Sequence, residues 1–190
     1  GVVSSDDKKD HVLGLGAKGV LNRKDFNCWG QLPTVNGPEF SDYMKESRKF
    51  GKAIWEITNK QDVDIVFEHP GESTFPVSVF VVKRGGMVVI CAGTTGFNLT
   101  MDARFLWMRQ KRVQGSHFAH LKQASAANQL VINRRIDPGM SEVFTWDQIP
   151  AAHDKMLDNK HLPGNMAVLV TSPKPGLRTV EDVLAVNGQA

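Results

Sequence analysis

Two short apolar runs and a third, more polar stretch, each breaking into a loop of Gly, Thr, His or Pro, constrain this chain more than any other feature. The run 63–67 (VDIVF) stops at Glu68-His69-Pro70-Gly71, and 87–91 (MVVIC) opens into Ala92-Gly93-Thr94-Thr95-Gly96. A third stretch, Lys111-Arg112-Val113-Gln114-Gly115, leads to Ser116-His117-Phe118. Runs rich in β-branched residues without alternation predict strands covered on both faces, as in a parallel sheet flanked by helices. In such α/β sheets ligands sit outside the carboxyl ends of the strands, so the three loops are expected to gather there as half of a nucleotide-binding site.

The chain has 190 residues, 41% of them hydrophobic, enough to bury one core. Its net charge of +3 comes from basic residues scattered among acids. No Lys/Arg run interleaved with aromatics marks a nucleic-acid face, and anionic small molecules fit better. Cys28 and Cys91 lie far apart without metal-ligand spacing, and Cys91 closes an apolar run expected to be buried, which points to reduced thiols in a cytoplasm. No apolar run reaches the roughly 18 residues of a membrane span, and Gly1 does not open a secretory signal. The expectation is a soluble, cytoplasmic protein.

Gly1-Val2-Val3 reads as the end of a strand, followed by a short helix closing at Leu13-Gly14-Leu15-Gly16. Dinucleotide folds normally present a strand, a Gly-rich turn and a helix before such a strand, and that unit is not among these residues. Ser4, Ser5, Lys8 and Lys9 would give donors and positive charge to a ribose carrying an extra phosphate, which favours NADP over NAD. The same residues serve equally well as a helix start capped by Ser5 or Asp6. Residues 17–24 read as a short strand ending in Arg23, which could reach the adenosine part of a nucleotide or simply be solvated.

Residues 25–38 read as a loop insertion. Residues 41–58 form a helix with Tyr43, Phe50, Ile54 and Ile57 on one stripe and Lys45, Arg48, Lys49 and Lys52 largely off it. A helix over 72–84 takes Pro76 in its opening turn and ends at Lys83-Arg84-Gly85-Gly86, cations at its negative end. The aromatics of 97–109 mark an oligomer interface. A helix over 117–135, a strand at 142–144, a helix over 147–159 and a strand at 166–170 complete the expectation.

No GxSxG, HExxH or paired Cys is present, and the six histidines do not cluster at ligand spacings. His117 and His120 are three apart but lack an evident carboxylate partner. His69 and His117, both at predicted strand ends, are the chemically interesting pair, although a lone histidine is more often a hydrogen-bonded structural residue.

Four segments together carry a family resemblance: Phe67-Glu68-His69-Pro70-Gly71, the stretch from Arg84-Gly85-Gly86 to Cys91-Ala92-Gly93-Thr94-Thr95-Gly96, residues 107–119 (WMRQKRVQGSHFA), and Pro163-Gly164-Asn165-Met166-Ala167. The chain resembles the crotonyl-CoA carboxylase/reductases, a zinc-independent branch of the medium-chain dehydrogenase/reductase superfamily. The match runs over essentially the whole chain, including Asn27-Cys28-Trp29-Gly30, and corresponds to the carboxyl-terminal portion of those enzymes. The resemblance implies a Rossmann-type doubly wound parallel sheet lacking its first β-α unit over residues 1–140. It also implies the C-terminal return segment of a GroES-like catalytic domain over 141–190.

The chemistry so implied is reductive carboxylation: hydride passes from NADPH to the β-carbon of an enoyl-CoA, and the resulting enolate attacks CO2, giving ethylmalonyl-CoA from crotonyl-CoA. His117 matches the histidine that holds CO2 through an ordered water. Its Asn, Phe and Glu companions lie in a part of the family's sequence outside these residues, so the 190 residues alone are expected to be inactive and to lean on a partner. Ser4, Ser5, Lys8 and Arg23 match positions around the adenosine 2′-phosphate. His69, Cys91, Gly93, Thr94 and Phe118 match the nicotinamide loops. Arg48, Arg84, Arg104 and Phe105 match positions gripping the CoA nucleotide, partly across a subunit boundary. Phe105 stands where some members have tyrosine, which keeps the stacking and loses the hydroxyl. A homo-oligomer, a dimer or dimer of dimers, and no metal are implied. The alternatives are a non-carboxylating enoyl-CoA or quinone reductase, and a non-catalytic nucleotide-binding or dimerisation module.

Overall fold

A computed structural model of the chain describes residues 1–176 and Ala185. The chain divides into two compact units, Gly1–Phe118 and Ala119–Ala190. Of the expected return segment, residues 177–184 and 186–190 lie outside the described residues.

In the first unit, β1 (Val2–Val3) pairs in parallel with β2 (Leu21–Asn22) around α1 (Lys9–Gly14). A three-stranded parallel sheet follows, in the order β3 (Val63–Glu68), β4 (Val82–Ile90), β5 (Arg112–Gly115). The α/β class is therefore as expected, and the two apolar runs and the third stretch form strands where the sequence places them. The two long connections carry α3 (Phe75–Val81) and α4 (Ala103–Trp107), while α2 (Phe40–Thr58) precedes the sheet.

Two clusters make the core. Phe26, Cys28, Tyr43, Met44, Phe50 and Val77 form one, and Phe75, Val79, Val82 and Val88 the other. The stretch 25–38, expected as a loop insertion, is a packed plug. Phe26 and Trp29 both meet Phe50 edge-on, at 5.1 and 5.2 Å between ring centroids. Burial pushes the Cys28 thiol up to about 12, so it behaves as an inert apolar group.

Among the described residues of the first unit, the sheet is not covered on both faces. Val66, Val88 and Ile90 pack toward α3, but Ile65 and Phe67 are 62% and 69% exposed, and β5 is exposed throughout. Cys91, expected at the end of a buried strand, is exposed as well. An unalternating run reports that both faces are apolar, not what lies against them.

The predicted ending of the third helix also needs correction. The helix stops at Val81, because Val82 turns extended and pairs with Val63 in β4. The register jumps from Val63↔Val82 to Ile65↔Met87, so Lys83, Arg84, Gly85 and Gly86 form a bulge inside the strand opposite Asp64, which ion-pairs with Lys83. The cation at the negative end of α3 is Lys111. Its Nζ donates to the carbonyls of Val79 (2.7 Å) and Phe80 (2.9 Å).

The second unit contains α5 (Leu121–Ile132), the parallel pair β6 (Met140–Phe144) and β7 (Asn165–Val168), and α6 (Ile149–Leu157). The helix expected to begin at His117 starts four residues later because His120 caps it. The Gln123 amide donates to His120 Nδ1 (3.4 Å), and the Gln123 side chain accepts from the His120 amide (3.1 Å). Glu142 of β6 pairs with Lys155 of α6 and accepts the Leu162 amide at 2.7 Å, two contacts that hold its carboxyl below the usual range.

Burial lowers the Lys111 ammonium from 10.5 to about 8, with the nearby Arg109 adding to the effect. Between those two pH values the unfolded chain binds more protons than the folded one, so this group makes stability rise with pH through the window. The slope of unfolding free energy against pH from 8 to 10.5 is expected to be less positive in Lys111→Met; equal slopes in denaturant titrations would contradict the assignment.

Candidate functional site

Because β3, β4 and β5 are parallel, their carboxyl ends open on one edge, and the loops after them are laced together there. The Cys91 amide donates to the Glu68 carbonyl (3.2 Å), and the Ser116 amide to the Ile90 carbonyl (2.7 Å). Thr95 binds the Pro70 carbonyl through both its amide and its hydroxyl, each at 2.8 Å. That hydroxyl also accepts the Ser73 amide at 3.0 Å.

Gly71 is forced into this arrangement. Its φ of +88° lies in the left-handed region, and a Cβ there would sit 2.8 Å from the Gly96 carbonyl oxygen and 2.9 Å from the Gly93 Cα. Under the turn lies the Glu68 carboxylate, 2% exposed. It accepts the Gly71 amide (3.0 Å) and the Thr74 hydroxyl (2.5 Å) on Oε1, and the Ser78 hydroxyl (2.5 Å) on Oε2.

A cavity of about 820 Å³ adjoins this edge and runs along the exposed Ile65–Phe67 face. Ser4, Lys8 and Arg23 line it together with Glu68, His69 and Pro70. Lys8 Nζ donates to Ser4 Oγ at 3.2 Å, so a hydroxyl and an ammonium stand side by side, as the phosphorylated-ribose expectation requires. The competing helix-cap role does not form. Ser5 precedes the 3-10 turn Asp6–Lys8, but its side chain makes no capping bond, and Ser5 is not part of the cavity wall. Arg23 is anchored by its carbonyl, which accepts Trp29 Nε1 at 2.7 Å.

Cys91, Gly93, Thr94 and Phe118 occupy the laced edge without lining the cavity. His117 follows β5, is exposed, and lies against Phe118 with ring centroids 3.8 Å apart and planes tilted by 42°. Phe118 itself has φ 54° and is 90% exposed. His69 and His117 thus share a sheet edge, with β4 between their strands, while only His69 borders the cavity.

A second cavity, about 520 Å³, gathers Arg48, Arg84 and Phe105. Sequence reasoning missed its other cations. Lys52, Arg109 and Lys111 join them, with Asp62 the one carboxylate in the wall. Asp62 is engaged by Trp55 Nε1 at 2.6 Å. Arg84 reaches the cavity because the β4 bulge turns it out of the sheet's regular register; nothing in the periodicity signals that bulge except the Gly85-Gly86 pair. Arg104 is not brought in: its guanidinium grips the half-capping Asp102 in a fork (2.7 to 3.1 Å) and holds that carboxyl below its usual range. Phe105 packs edge-on against Phe80 at 5.3 Å.

A family model described as zinc-binding dehydrogenase matches residues 1–133. The chain belongs to the zinc-binding dehydrogenase family. It is 70% identical, over its whole length, to the crotonyl-CoA carboxylase/reductase of Cereibacter sphaeroides, of which it spans 44%. It is 39% identical over 93% of its length to the crotonyl-CoA reductase of Streptomyces avermitilis, spanning 38% of that protein. Among solved structures, a crotonyl-CoA carboxylase/reductase superposes with a TM-score of 0.87 at 72% identity, covering 97% of this chain and 44% of that one. A 2-octenoyl-CoA carboxylase reductase, CinF, solved with NADP and 2-octenoyl-CoA, superposes at 0.77 with 33% identity, over 98% and 40% of the two chains. The chain therefore spans less than half the length of these relatives. The family's name implies zinc, but the donors present do not fit one. Among the described residues no three His, Cys, Asp or Glu side chains converge, and Nδ1 of His120 is used in its helix cap.

Gly71→Ala is expected to destabilise the protein by about 2 kcal/mol or more, since strain at positive φ adds to a clash with backbone that cannot swing away. An unchanged melting temperature would mean that the two loops do not meet as described.

Proposed function

We propose that the chain, as part of a full-length enzyme, serves NADPH-dependent reductive carboxylation of an enoyl-CoA, of which crotonyl-CoA plus CO2 to ethylmalonyl-CoA is the reference reaction. The observation that carries the reading is the 70% identity across the whole chain to a crotonyl-CoA carboxylase/reductase. The cavity beside the carboxyl edge supports it, with Ser4, Lys8 and Arg23 in its wall beside His69. A 2′-phosphate needs charge-assisted donors, and the Lys8 and Ser4 pair offers them. One solved relative, the crotonyl-CoA carboxylase/reductase AntE, was determined with NADP both unaltered and as a single-substitution variant, at 43% and 44% identity. The bound nucleotide supplies hydride to the β-carbon of the enoyl thioester.

The chain's own residues then have three tasks. Ser4, Ser5, Lys8 and Arg23 hold the adenosine end, and His69, Cys91, Gly93, Thr94 and Phe118 shape the nicotinamide side. Arg48, Arg84 and Phe105, which share one cationic cavity, hold the CoA nucleotide, with Arg104 contributing where a subunit boundary brings it. His117 holds CO2 against the enolate through an ordered water. Carboxylation wins over protonation only if the pocket keeps protons out, a demand on water exclusion rather than on acid strength. The reading takes residues 1–140 as nucleotide domain and 141–190 as return segment, in a cytoplasmic homo-oligomer. No helix among the described residues is long and apolar enough to cross a membrane. A simple enoyl-CoA reductase is the second reading, favoured by the two relatives at 39% and 37% identity named crotonyl-CoA reductase.

The test supplies the full-length enzyme with crotonyl-CoA and NADPH, with and without saturating bicarbonate and carbonic anhydrase, and identifies the product by mass. CO2-dependent oxidation giving ethylmalonyl-CoA is expected, with His117→Asn shifting product toward butyryl-CoA more than it slows NADPH oxidation. Butyryl-CoA formed indifferently to CO2 would replace this reading with the reductase.

A further inference from the structure

We infer that Glu68 is the positioning residue of the dinucleotide site, fixing through its buried carboxylate the two loops that face the nicotinamide; this rests on the NADPH reading above. The side chain is 2% exposed and makes no ion pair among the described residues, so its charge is held by hydroxyl and amide donors alone. Burying a carboxylate without a cation is costly unless donors converge on it. Three do. The Gly71 amide, the Thr74 hydroxyl and the Ser78 hydroxyl donate to it, tying the end of β3 to the turn and to both the start and the first coil of α3.

The consequence reaches beyond that turn. Glu68's own carbonyl accepts the Cys91 amide, and Pro70, two residues on, binds Thr95 twice. The Glu72 amide donates to the Gly96 carbonyl at 3.3 Å, closing the lattice. His69, whose backbone sits between the anchored residue 68 and the pinned residue 70, has its direction into the cavity set by these contacts rather than by any bond of its own. A buried carboxylate with no salt-bridge partner beside a ligand cavity is an expensive way to brace a turn. The geometry explains the choice: two carboxylate oxygens accept all three donors at once, whereas an amide oxygen could keep only the Gly71 and Thr74 donors and its NH2 would force the Ser78 hydroxyl from donor to acceptor.

Glu68→Gln keeps the shape and removes one acceptor. In the full protein, the dissociation constant for NADPH, followed by its fluorescence, is expected to rise about tenfold, with the Michaelis constant for crotonyl-CoA within about twofold of the original. Ser78→Ala, which leaves the carboxylate in place, is expected to raise it about threefold. A lower melting temperature with both constants unchanged in the folded fraction would overturn the inference and leave Glu68 as a stabilising residue only. If the unaltered protein itself fails to bind NADPH, the function proposed above falls. Hydrogen exchange then decides the inference separately: faster exchange at 69–73 and 92–97 in Glu68→Gln supports the bracing, and unchanged exchange there refutes it.

Discussion

In a parallel sheet every strand delivers its carboxyl end to the same edge, and the β3–β4–β5 pairing imposes that on residues 68, 90 and 115. Everything chemically distinctive in the first unit hangs on this. His69, the Cys91–Thr95 loop and His117 come together only because their strands run the same way. The loops could still splay, and what prevents it is a short hydrogen-bond lattice on Pro70, Thr95 and Gly96, closed over Gly71 at a distance no Cβ would allow.

Charge is distributed with the same economy of place. Around the larger cavity it is sparse: Lys8, Lys18 and Arg23 on one side, the buried Glu68 on the other. Around the smaller cavity it is dense, with five cations against one carboxylate already engaged by Trp55. The first arrangement suits a ligand with one discriminating phosphate, and the second a ligand carrying several. Lys111 links the second cavity to the fold, since the ammonium in its wall also closes the carbonyl end of α3.

Much of this was legible in the sequence, and the exceptions share a cause. The strands at 63–67 and 87–91 and the helix 41–58 follow from local periodicity, and Ser4, Lys8 and Arg23 follow from their place after short strands. Local patterns failed where a long-range partner decides. Lys83-Arg84-Gly85-Gly86 has every mark of a helix ending, yet pairing of Val82 with Val63 draws it into a strand as a bulge. Lys111 takes the helix-end role from thirty residues away, which no window could reveal. The family motif points Arg104 at the CoA nucleotide, but Asp102 two residues before it claims the guanidinium. In the sequence Glu68 is one letter of a loop signature, and its burial under Thr74 and Ser78 depends on the packing of β3 against α3.

The most direct test of the account is a crystal structure of the protein with NADPH. The account predicts the nicotinamide beside the turn 69–71 and the loop 93–96, with the ribose phosphate in hydrogen-bonding reach of Ser4 and Lys8. NADPH seated instead in the cavity of Arg48, Arg84 and Lys111, or away from the carboxyl edge of β3 and β4, would contradict it.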